Sequence, residues 1–358
     1  MIHQKTKPDV AEQKCRRSDR VGWTRAGDPE HGFTYHNSRG APITNERKLS
    51  RIKELAIPPA WSDVHISASA EADLQATGID AAGRKQYIYH PDFVARQAER
   101  KYQRLRQFAQ HLPELRARTS EDLASTNEPT ELRVLATMVR LINEAYFRAG
   151  SEEYTRRYRS YGITTLLKRH VHLLEDETLL FQYRGKSGVR QRQVVTDGDL
   201  FAVVKSLMEI SGRRLFQYYD DRGEVHPATG RLLNQYIRQL MGPGISAKDF
   251  RTWAGTLLAA ETLAELGPPE SERQAEKNIV AAIKRVAEEL GNTPAVARAS
   301  YVSPSVIERY REGKTLDDYV RRSVKTIRAS QLDYEPEELA LMRLLGLRLP
   351  LGHPEIGK

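Results

Sequence analysis

A single tyrosine, Tyr301, lies in the stretch LGNTPAVARASYVSPSV between two patterns that each predict the start of a helix. Thr293-Pro294 and Ser303-Pro304 both pair a hydroxyl side chain that can cap a helix with a proline suited to its first position. A tyrosine hydroxyl can act as a nucleophile, and nearby cations would help by lowering its usual pKa of about 10. The sequence therefore presents Tyr301 between two short helices as a candidate nucleophile.

Three basic residues lie in sequence contexts that restrict their positions. Arg148 lies in YFRAGSEEY at the end of a long apolar helix, Lys186 in the turn RGKSG, and Arg251 in SAKDFRTWAGT between aromatic residues. Each alone is more simply explained as a surface or ion-paired cation. Together with Tyr301 they would suffice for a metal-free transesterification, since arginines stabilise the charge on a phosphodiester and a lysine can protonate the leaving alkoxide.

Other motifs that could carry chemistry are incomplete. GKS at residues 185–187 resembles the end of a phosphate-binding loop, but Leu180 stands where that loop needs a glycine. His170 and His172 are expected to share one strand face, but no third metal ligand lies at a useful spacing. The sequence also contains neither HExxH nor GxSxG, so we expect no metal and no cofactor.

The composition favours a polyanionic partner. The chain has 358 residues, a formal net charge of +9 and a pI of about 9.5. This excess favours nucleic acid over a membrane, although an unselective basic surface would give the same values. The one cysteine, Cys15, cannot form an internal disulfide, which fits a reducing cytosol. With no recognisable signal peptide or membrane-spanning run, we expect a cytoplasmic protein with no membrane partner.

Hydropathy patterns predict an α+β fold, with a sheet domain followed along the chain by a mostly helical domain. Residues 1–20 are predicted to be a flexible basic arm. Short alternating runs between turn residues predict a small N-terminal antiparallel β-sheet domain over residues 21–96. From residue 97 to 358 the period is helical, apart from a strand-turn-strand-turn-strand pattern over residues 170–196. We therefore predict a larger, mostly α-helical catalytic domain with a three-stranded sheet and a C-terminal tail from about residue 315.

From about Trp23 to about residue 312 the chain resembles a type IB DNA topoisomerase of the small bacterial and poxvirus-like group. The resemblance implies the catalytic fold that these enzymes share with tyrosine recombinases, behind an N-terminal lobe that clamps DNA. The motifs that carry it are PPAWSDVHIS, LQATGIDAAGRKQYIYHPDF, KYQRLRQFAQHLPELR, YFRAGSEEY, SYGITTLLKRHV, FQYRGKSG, LFQY, SAKDFRTWAGT and GNTPAVARASYV.

The resemblance implies a role for each candidate residue. Tyr301 would attack a DNA phosphate and hold the 3′ end as a phosphotyrosine, while Arg148 and Arg251 clamp that phosphate. Lys186, helped by Arg148, would protonate the departing 5′ oxygen. The cut strand would swivel about its partner and be resealed, which relaxes supercoils of either sign without ATP or metal. We accordingly expect a nucleoid-associated monomer whose partner is double-stranded DNA.

Asn292 marks a departure from many relatives, which carry a histidine nine residues before the tyrosine. An amide can donate a hydrogen bond to a non-bridging phosphate oxygen, but it cannot donate a proton as an imidazolium does. We therefore expect Asn292 to bind the phosphate without acid or base chemistry. Asparagine at this place is associated with bacterial members of the group.

The resemblance also implies DNA contacts outside the catalytic cluster. Gln86, Tyr87 and Tyr89 in GRKQYIYH match a DNA-contacting strand, and alternation places Tyr87 and Tyr89 on one face. The alternative is that both tyrosines pack in the core of the sheet. Further positions assigned to the DNA-binding surface are Lys248 and, matching positions that support the arginine of RAGSEEY, Gly150 and Tyr154.

Two other functions remain open from the sequence. A tyrosine recombinase shares the catalytic fold, but its second arginine usually follows an H-x-x-R pattern, whereas residues 248–251 read K-x-x-R. A non-catalytic DNA-binding protein would use the same basic residues only to neutralise phosphates. Relaxation of a supercoiled plasmid without ATP or metal would separate a topoisomerase from both alternatives.

Overall fold

The N-terminal strands form one antiparallel sheet. The computed structural model describes residues 22–319 and 334–347, so the arm predicted over residues 1–20 lies outside the described residues. The elements are β1 (Gly22–Asp28), β2 (Gly32–His36), α1 (Glu46–Glu54), β3 (Ser62–Ser67), β4 (Leu74–Ile79) and β5 (Lys85–Tyr89). The strand order is β2-β1-β3-β4-β5, and every neighbouring pair is antiparallel.

A small core joins this sheet to α1. Asn45 begins the helix, because its side chain accepts a hydrogen bond of 3.1 Å from the backbone N–H of Lys48. Ile52 of α1 is buried together with Val64 and Ile66, which alternate along β3. The predicted N-terminal antiparallel sheet is confirmed.

A 34-residue helix, α2 (Pro91–Ala124), follows the sheet. The chain divides within it into two units, one up to Lys101 and the other from Tyr102. Beyond this point the buried side chains of α2 recur every three or four residues, the period of one helical face. These side chains, which join the larger core of the second unit, are Leu105, Phe108, Leu112 and Leu115.

The long apolar helix predicted before Arg148 is α3 (Glu131–Ala145). Thr130 caps its start by accepting a hydrogen bond from the backbone N–H of Arg133. It ends at Tyr146, whose left-handed φ of 56° turns the chain away. Arg148 is thereby placed just beyond the end of a helix with a fully buried face. That face contains Val134, Leu135, Met138, Val139, Leu141 and Ile142.

The predicted three-stranded sheet is confirmed in the second unit. The middle strand pairs antiparallel with both neighbours, and its alternate residues Leu179, Phe181 and Tyr183 are buried. The turn after Arg184 carries Lys186, which is exposed. The strands are β6 (Val171–Leu173), β7 (Thr178–Arg184) and β8 (Arg190–Thr196).

Helices make up most of the remaining described chain. The elements are α4 (Glu152–Tyr158), α5 (Gly198–Glu209), β9 (Gln217–Tyr219), β10 (Val225–Pro227), α6 (Gly230–Met241), α7 (Ala247–Glu265), α8 (Glu272–Glu289), α9 (Pro294–Ser300), α10 (Pro304–Arg311) and α11 (Pro336–Leu344). The helical period predicted beyond residue 97 is present in α5 to α8. The ribbon of β9 and β10 was not predicted, because three-residue strands are too short to show alternation. Within residues 22–319 and 334–347, every helix lacks the length or the apolar character needed to span a membrane.

A buried carboxylate anchors α11 to the second unit. Arg116 of α2 donates two hydrogen bonds of 2.9 Å to Glu338, one to each carboxylate oxygen. Trp253 of α7 donates a third from Nε1 at 3.3 Å, and the backbone N–H of Glu335 donates a fourth at 3.0 Å. A buried carboxylate is costly without such partners. The bond from Trp253 ties α11 to α7, the helix that carries Arg251.

Replacing Glu338 by alanine should therefore destabilise the protein. Removing one side of a buried, hydrogen-bonded ion pair typically costs about 3 kcal/mol or more. Chemical denaturation should show this loss for Glu338→Ala. The control Glu337→Ala, at an exposed position of the same helix, should change the free energy of unfolding by about 0.5 kcal/mol or less. Equal losses in the two variants would contradict the anchoring role.

Candidate active site

Tyr301 lies between two short helices, as the sequence predicted. Thr293 caps α9 by accepting a hydrogen bond from the backbone N–H of Val296, and Pro294 and Pro304 are the first residues of α9 and α10. Tyr301 follows α9 directly, and its own backbone N–H still bonds to Ala297. The tyrosine is therefore fixed at a helix end.

Two residues of α7 hold the backbone at Tyr301. The Thr256 hydroxyl lies 3.1 Å from the carbonyl oxygen of Tyr301 and accepts a hydrogen bond of 3.2 Å from the backbone N–H of Ser303. At Gly255 an added Cβ would lie only 2.9 Å from the Cβ of Tyr301. The absence of a side chain on Gly255 thus allows α7, which also carries Arg251, to approach the tyrosine closely.

The carbonyl end of α8 brings the two arginines together. Arg251 is 3% exposed, and its Nη2 donates a hydrogen bond of 2.6 Å to the carbonyl oxygen of Leu290, while its Nη1 donates to that of Tyr146. Arg148 donates from Nη2 to Leu290 at 3.2 Å and to Gly291 at 2.7 Å. The last carbonyls of a helix lack intrahelical partners and carry partial negative charge, so they stabilise both cations.

Asn292 follows this helix end and has a fixed orientation. Its backbone N–H bonds to Ala287 at 2.7 Å, in a turn closed by Gly291 with a left-handed φ of 59°. Its Oδ1 accepts a hydrogen bond of 2.7 Å from Arg148, and since a guanidinium only donates, the amide nitrogen must face the other way. That Nδ2 is buried and has no hydrogen-bond partner among the described residues. Asn292 thus keeps a donor for an added anion.

The backbone at Arg148 is held by the segment over residues 162–164. Its carbonyl oxygen accepts a hydrogen bond of 2.8 Å from Ile163, and that of Ala149 accepts one of 2.9 Å from Thr164. At Gly150 an added Cβ would lie 3.0 Å from the Cα of Gly162, so the two segments are in close contact. This places the Arg148 side chain between the α8 end and an open cavity.

Lys186 reaches the same cavity from the turn between β7 and β8. It is exposed, and it forms no ion pair with any residue in the described ranges. The cavity has a volume of about 300 Å³. Its lining residues, which include the predicted Gly150 and Tyr154, are Arg148, Gly150, Ser151, Tyr154, Ser160, Tyr161 and Lys186.

The cations lower the pKa of the Tyr301 phenol. Burial acts to raise that pKa, but the charge of Arg251 and hydrogen bonding to it, with smaller contributions from Arg148 and Lys248, bring it below its usual value. The Arg251 guanidinium lies 5.0 Å from the centre of the Tyr301 ring. The structure therefore brings together Tyr301, both predicted arginines and Lys248, around a phenol that ionises more readily than a free one.

The predicted DNA-contacting strand of the first unit exposes its tyrosines. Tyr87 and Tyr89 on β5 are 43% and 39% exposed, and their rings stack with centres 6.0 Å apart. The alternative that both pack in the sheet core is wrong. Gln86 is half-buried, and its Nε2 donates a hydrogen bond of 2.8 Å to Asp80.

The two histidines considered as metal ligands do not share a strand face. His170 ends the short 3-10 turn Lys168–His170 before β6 and is buried, whereas His172 is exposed. The Nδ1 of His170 accepts a hydrogen bond from the backbone N–H of Leu167. Burial, aided by the charge of Arg169, lowers the pKa of His170 to about 4. His170 is therefore neutral and structural.

Comparison with known proteins decides the family. The family model described as "Eukaryotic DNA topoisomerase I, catalytic core" matches residues 90–327, and "Bacterial DNA topoisomerase IB, N-terminal domain" matches residues 32–80. A protein named DNA topoisomerase 1B from Acanthamoeba polyphaga mimivirus is 31% identical over 84% of this chain and 94% of its own. The chain belongs to the type IB DNA topoisomerase family.

More distant members match over shorter lengths. DNA topoisomerase 1B of Vaccinia virus (strain Copenhagen) is 22% identical over 80% of this chain and 89% of its own. DNA topoisomerase 1 of Schizosaccharomyces pombe is 29% identical over 47% of this chain and 20% of its own. The resemblance found in the sequence motifs is thus confirmed, and a type IB topoisomerase is favoured over a recombinase or a non-catalytic DNA-binding protein.

Sequence reasoning missed several residues of the topoisomerase site. Gly255 follows Arg251 by four residues in RTWAGT, and this spacing on a helix could have shown both facing the same partner. Thr256, one residue later, gave no such pattern. Tyr183 gave no comparable pattern. It is buried on β7, where the charges of Arg148 and Arg251 act to lower the pKa of its phenol against the larger effect of burial.

Removing the nearest cation should raise the pKa of Tyr301. In Arg251→Ala the opposing effect of burial remains, so the phenol should ionise at higher pH, and Lys248→Ala should give a smaller shift in the same direction. Spectroscopic titration of tyrosine ionisation measures this, with Tyr301→Phe in each background as the baseline. Lys284→Ala, at an exposed position on α8, is the control and should leave the pKa unchanged. An unaltered pKa in Arg251→Ala would refute the conclusion that Arg251 lowers the pKa of Tyr301.

Proposed function

We propose that this topoisomerase relaxes supercoiled double-stranded DNA of either sign by nicking one strand through Tyr301, without ATP or a metal ion. The observation that carries the proposal is the phenol with a lowered pKa beside Arg251, Arg148 and Lys248. Cations in this arrangement favour an ionised nucleophile and an anionic phosphate at the same place.

The proposed cleavage exchanges one ester bond for another. The Tyr301 oxygen forms a bond to phosphorus while the bond from phosphorus to the 5′ oxygen breaks. The phenol proton leaves to water, and Lys186 gives a proton to the departing 5′ oxygen. The 3′ end is then held as a phosphotyrosine, and the cut strand rotates about its partner. The 5′ hydroxyl reverses the step, because the phosphotyrosine conserves the bond energy.

Tyr183 is the competing nucleophile near the two arginines, and it is less suited. Its side chain is 8% exposed, and burial raises its pKa to about 12, although Gln193, Arg148 and Arg251 act in the opposite direction. The pKa of Tyr301 is lowered instead. The difference in environment favours Tyr301 as the attacking group.

Arg148, Arg251 and Asn292 would bind the scissile phosphate. The hydrogen bonds from Arg148 to the α8 end use only its Nη2, so other donors of this guanidinium can meet a phosphate oxygen. The buried Nδ2 of Asn292, unpartnered within the described ranges, would donate to a second oxygen. Charge-assisted bonds of this kind are the strong ones in a phosphate site.

Further residues are proposed to hold the DNA. The stacked, exposed rings of Tyr87 and Tyr89, with Gln86 beside them, suit contact with a duplex. Tyr154 is 48% exposed at the cavity that Lys186 shares, and Lys248 is an exposed cation one turn before Arg251. Gly150 would act by supporting the backbone at Arg148.

We also propose that the enzyme acts as a monomer. The five proposed catalytic residues all come from the second unit of one chain: Arg148, Lys186, Arg251, Asn292 and Tyr301. No second copy is therefore needed to complete the site. Chromosomal DNA as the substrate would place the enzyme at the nucleoid in the cytoplasm.

Supercoiled plasmid tests the proposed activity. The wild type should relax it in the presence of EDTA and without ATP, whereas Tyr301→Phe should bind DNA and leave the linking number unchanged. Tyr219→Phe, which alters a tyrosine exposed on β9, serves as the matched control and should relax DNA normally. Relaxation by Tyr301→Phe would overturn the nucleophile, and failure of the wild type under EDTA would overturn metal independence.

Variants of Asn292 test its donor. Asn292→Ala should cleave on the order of 100-fold more slowly, typical of one lost donor to a transition-state oxyanion, yet remain far more active than Tyr301→Phe. Asn292→Asp retains an oxygen for Arg148 but loses the donor, so it should be at least as slow. Asn292→His restores an N–H and should retain substantial activity. Single-turnover cleavage of a labelled duplex measures these rates, and a wild-type rate for Asn292→Ala would make the residue merely a helix terminator.

A further inference from the structure

Gln191 packs against the residue that precedes Lys186. It lies on β8 opposite Tyr183, next to the turn. At Gly185 an added Cβ would lie 2.7 Å from the Cγ of Gln191 and 3.2 Å from its Cδ. The φ of Gly185 is −90°, which any residue can adopt, so the close approach of Gln191 explains the glycine better than backbone conformation does.

The same side chain also reaches the end of α8. At Gly291 an added Cβ would lie 2.9 Å from the Oε1 of Gln191 and 3.0 Å from its Nε2. Gly291 immediately precedes Asn292, and its carbonyl oxygen accepts the 2.7 Å hydrogen bond from Arg148. One glutamine therefore spans the space between the lysine turn and the helix end that organises the phosphate-binding donors.

The lysine turn is closed by its own backbone, and the Tyr161 N–H donates a hydrogen bond of 2.8 Å to the carbonyl of Arg184 just before it. Gly185 donates to the Val189 carbonyl at 2.8 Å and accepts a hydrogen bond of 3.1 Å from Gly188. These bonds fix the shape of the turn, but they do not fix its position relative to α8. Lys186 itself is exposed and without an ion pair in the described ranges. Packing by Gln191 against Gly185 and Gly291 connects the turn to the end of α8.

We propose that Gln191 is a positioning residue, which holds the Lys186 turn against the α8 end so that the proton donor meets the phosphate bound by Arg148 and Asn292. The proposal rests on the role of Lys186 proposed above. A displacement of about 1 Å in a catalytic group can cost on the order of 100-fold in rate, so the loss of this contact should affect protonation of the leaving oxygen most.

A substrate that needs no proton donor distinguishes positioning from general structural damage. In a 5′-bridging phosphorothiolate duplex the phosphorus–sulfur bond breaks and the sulfur leaves as a thiolate, which needs no proton. In single-turnover cleavage, Gln191→Ala should be about 10- to 100-fold slower than wild type on ordinary DNA and close to wild type on the phosphorothiolate. Gln191→Met, which retains the length of the side chain, should recover most of the rate on ordinary DNA.

Gln182→Ala is the matched control, since Gln182 is an exposed glutamine on the same hairpin. It should cleave both substrates as the wild type does. A wild-type rate for Gln191→Ala on ordinary DNA, or an equal defect on both substrates, would overturn the proposal. Lys186→Ala separates the two levels of the argument, because failure of the phosphorothiolate to rescue this variant would refute the role of Lys186 itself.

A double-mutant cycle supplies an independent test. Gly185→Ala should slow cleavage of ordinary DNA while Gln191 is present, because the new Cβ would collide with its Cγ. In the Gln191→Ala background the same substitution should add little, since that space is vacated. Strong non-additivity is expected of side chains in contact, and additive effects would contradict the contact as the cause.

Discussion

The candidate active site depends on the hydrogen bonds that two arginines donate to the carbonyl oxygens at the end of α8. The Leu290 carbonyl accepts hydrogen bonds from both Arg148 and Arg251, and the Gly291 carbonyl accepts another from Arg148. Burial, and secondly the charge of Arg148, lower the pKa of Arg251. Two cations in such a place need negative partners, and the end of a helix supplies them without a carboxylate that would repel a phosphate.

The chemistry follows from what surrounds this helix end. The chain leaves it through Asn292, whose amide is oriented by Arg148, and forms α9, after which Tyr301 meets Gly255 and Thr256 of α7. The carbonyl oxygens hold both guanidiniums in place, and the bonds of Arg148 to them use only its Nη2. The same charges that would clamp the phosphate also lower the pKa of the phenol.

The sequence was sufficient to predict the elements that have strong local patterns. Hydroxyl residues followed by proline placed Tyr301 between two helices, apolar periodicity predicted α3, and alternation predicted the sheet of β6 to β8. The partners of the arginines could not be predicted, because backbone carbonyls are the same in every sequence. The contact of Gln191 with Gly185 and Gly291 was also beyond reach, since it joins segments that only the fold brings together.

The central claim is that the cations at the α8 end activate Tyr301 rather than Tyr183. The most direct test is to trap the cleaved complex on a duplex whose downstream fragment is lost after nicking, digest the adduct and map it by mass spectrometry. The account predicts a single modified peptide with Tyr301 bonded to the phosphate at a 3′ end. Attachment at Tyr183, or to a 5′ phosphate, would contradict it.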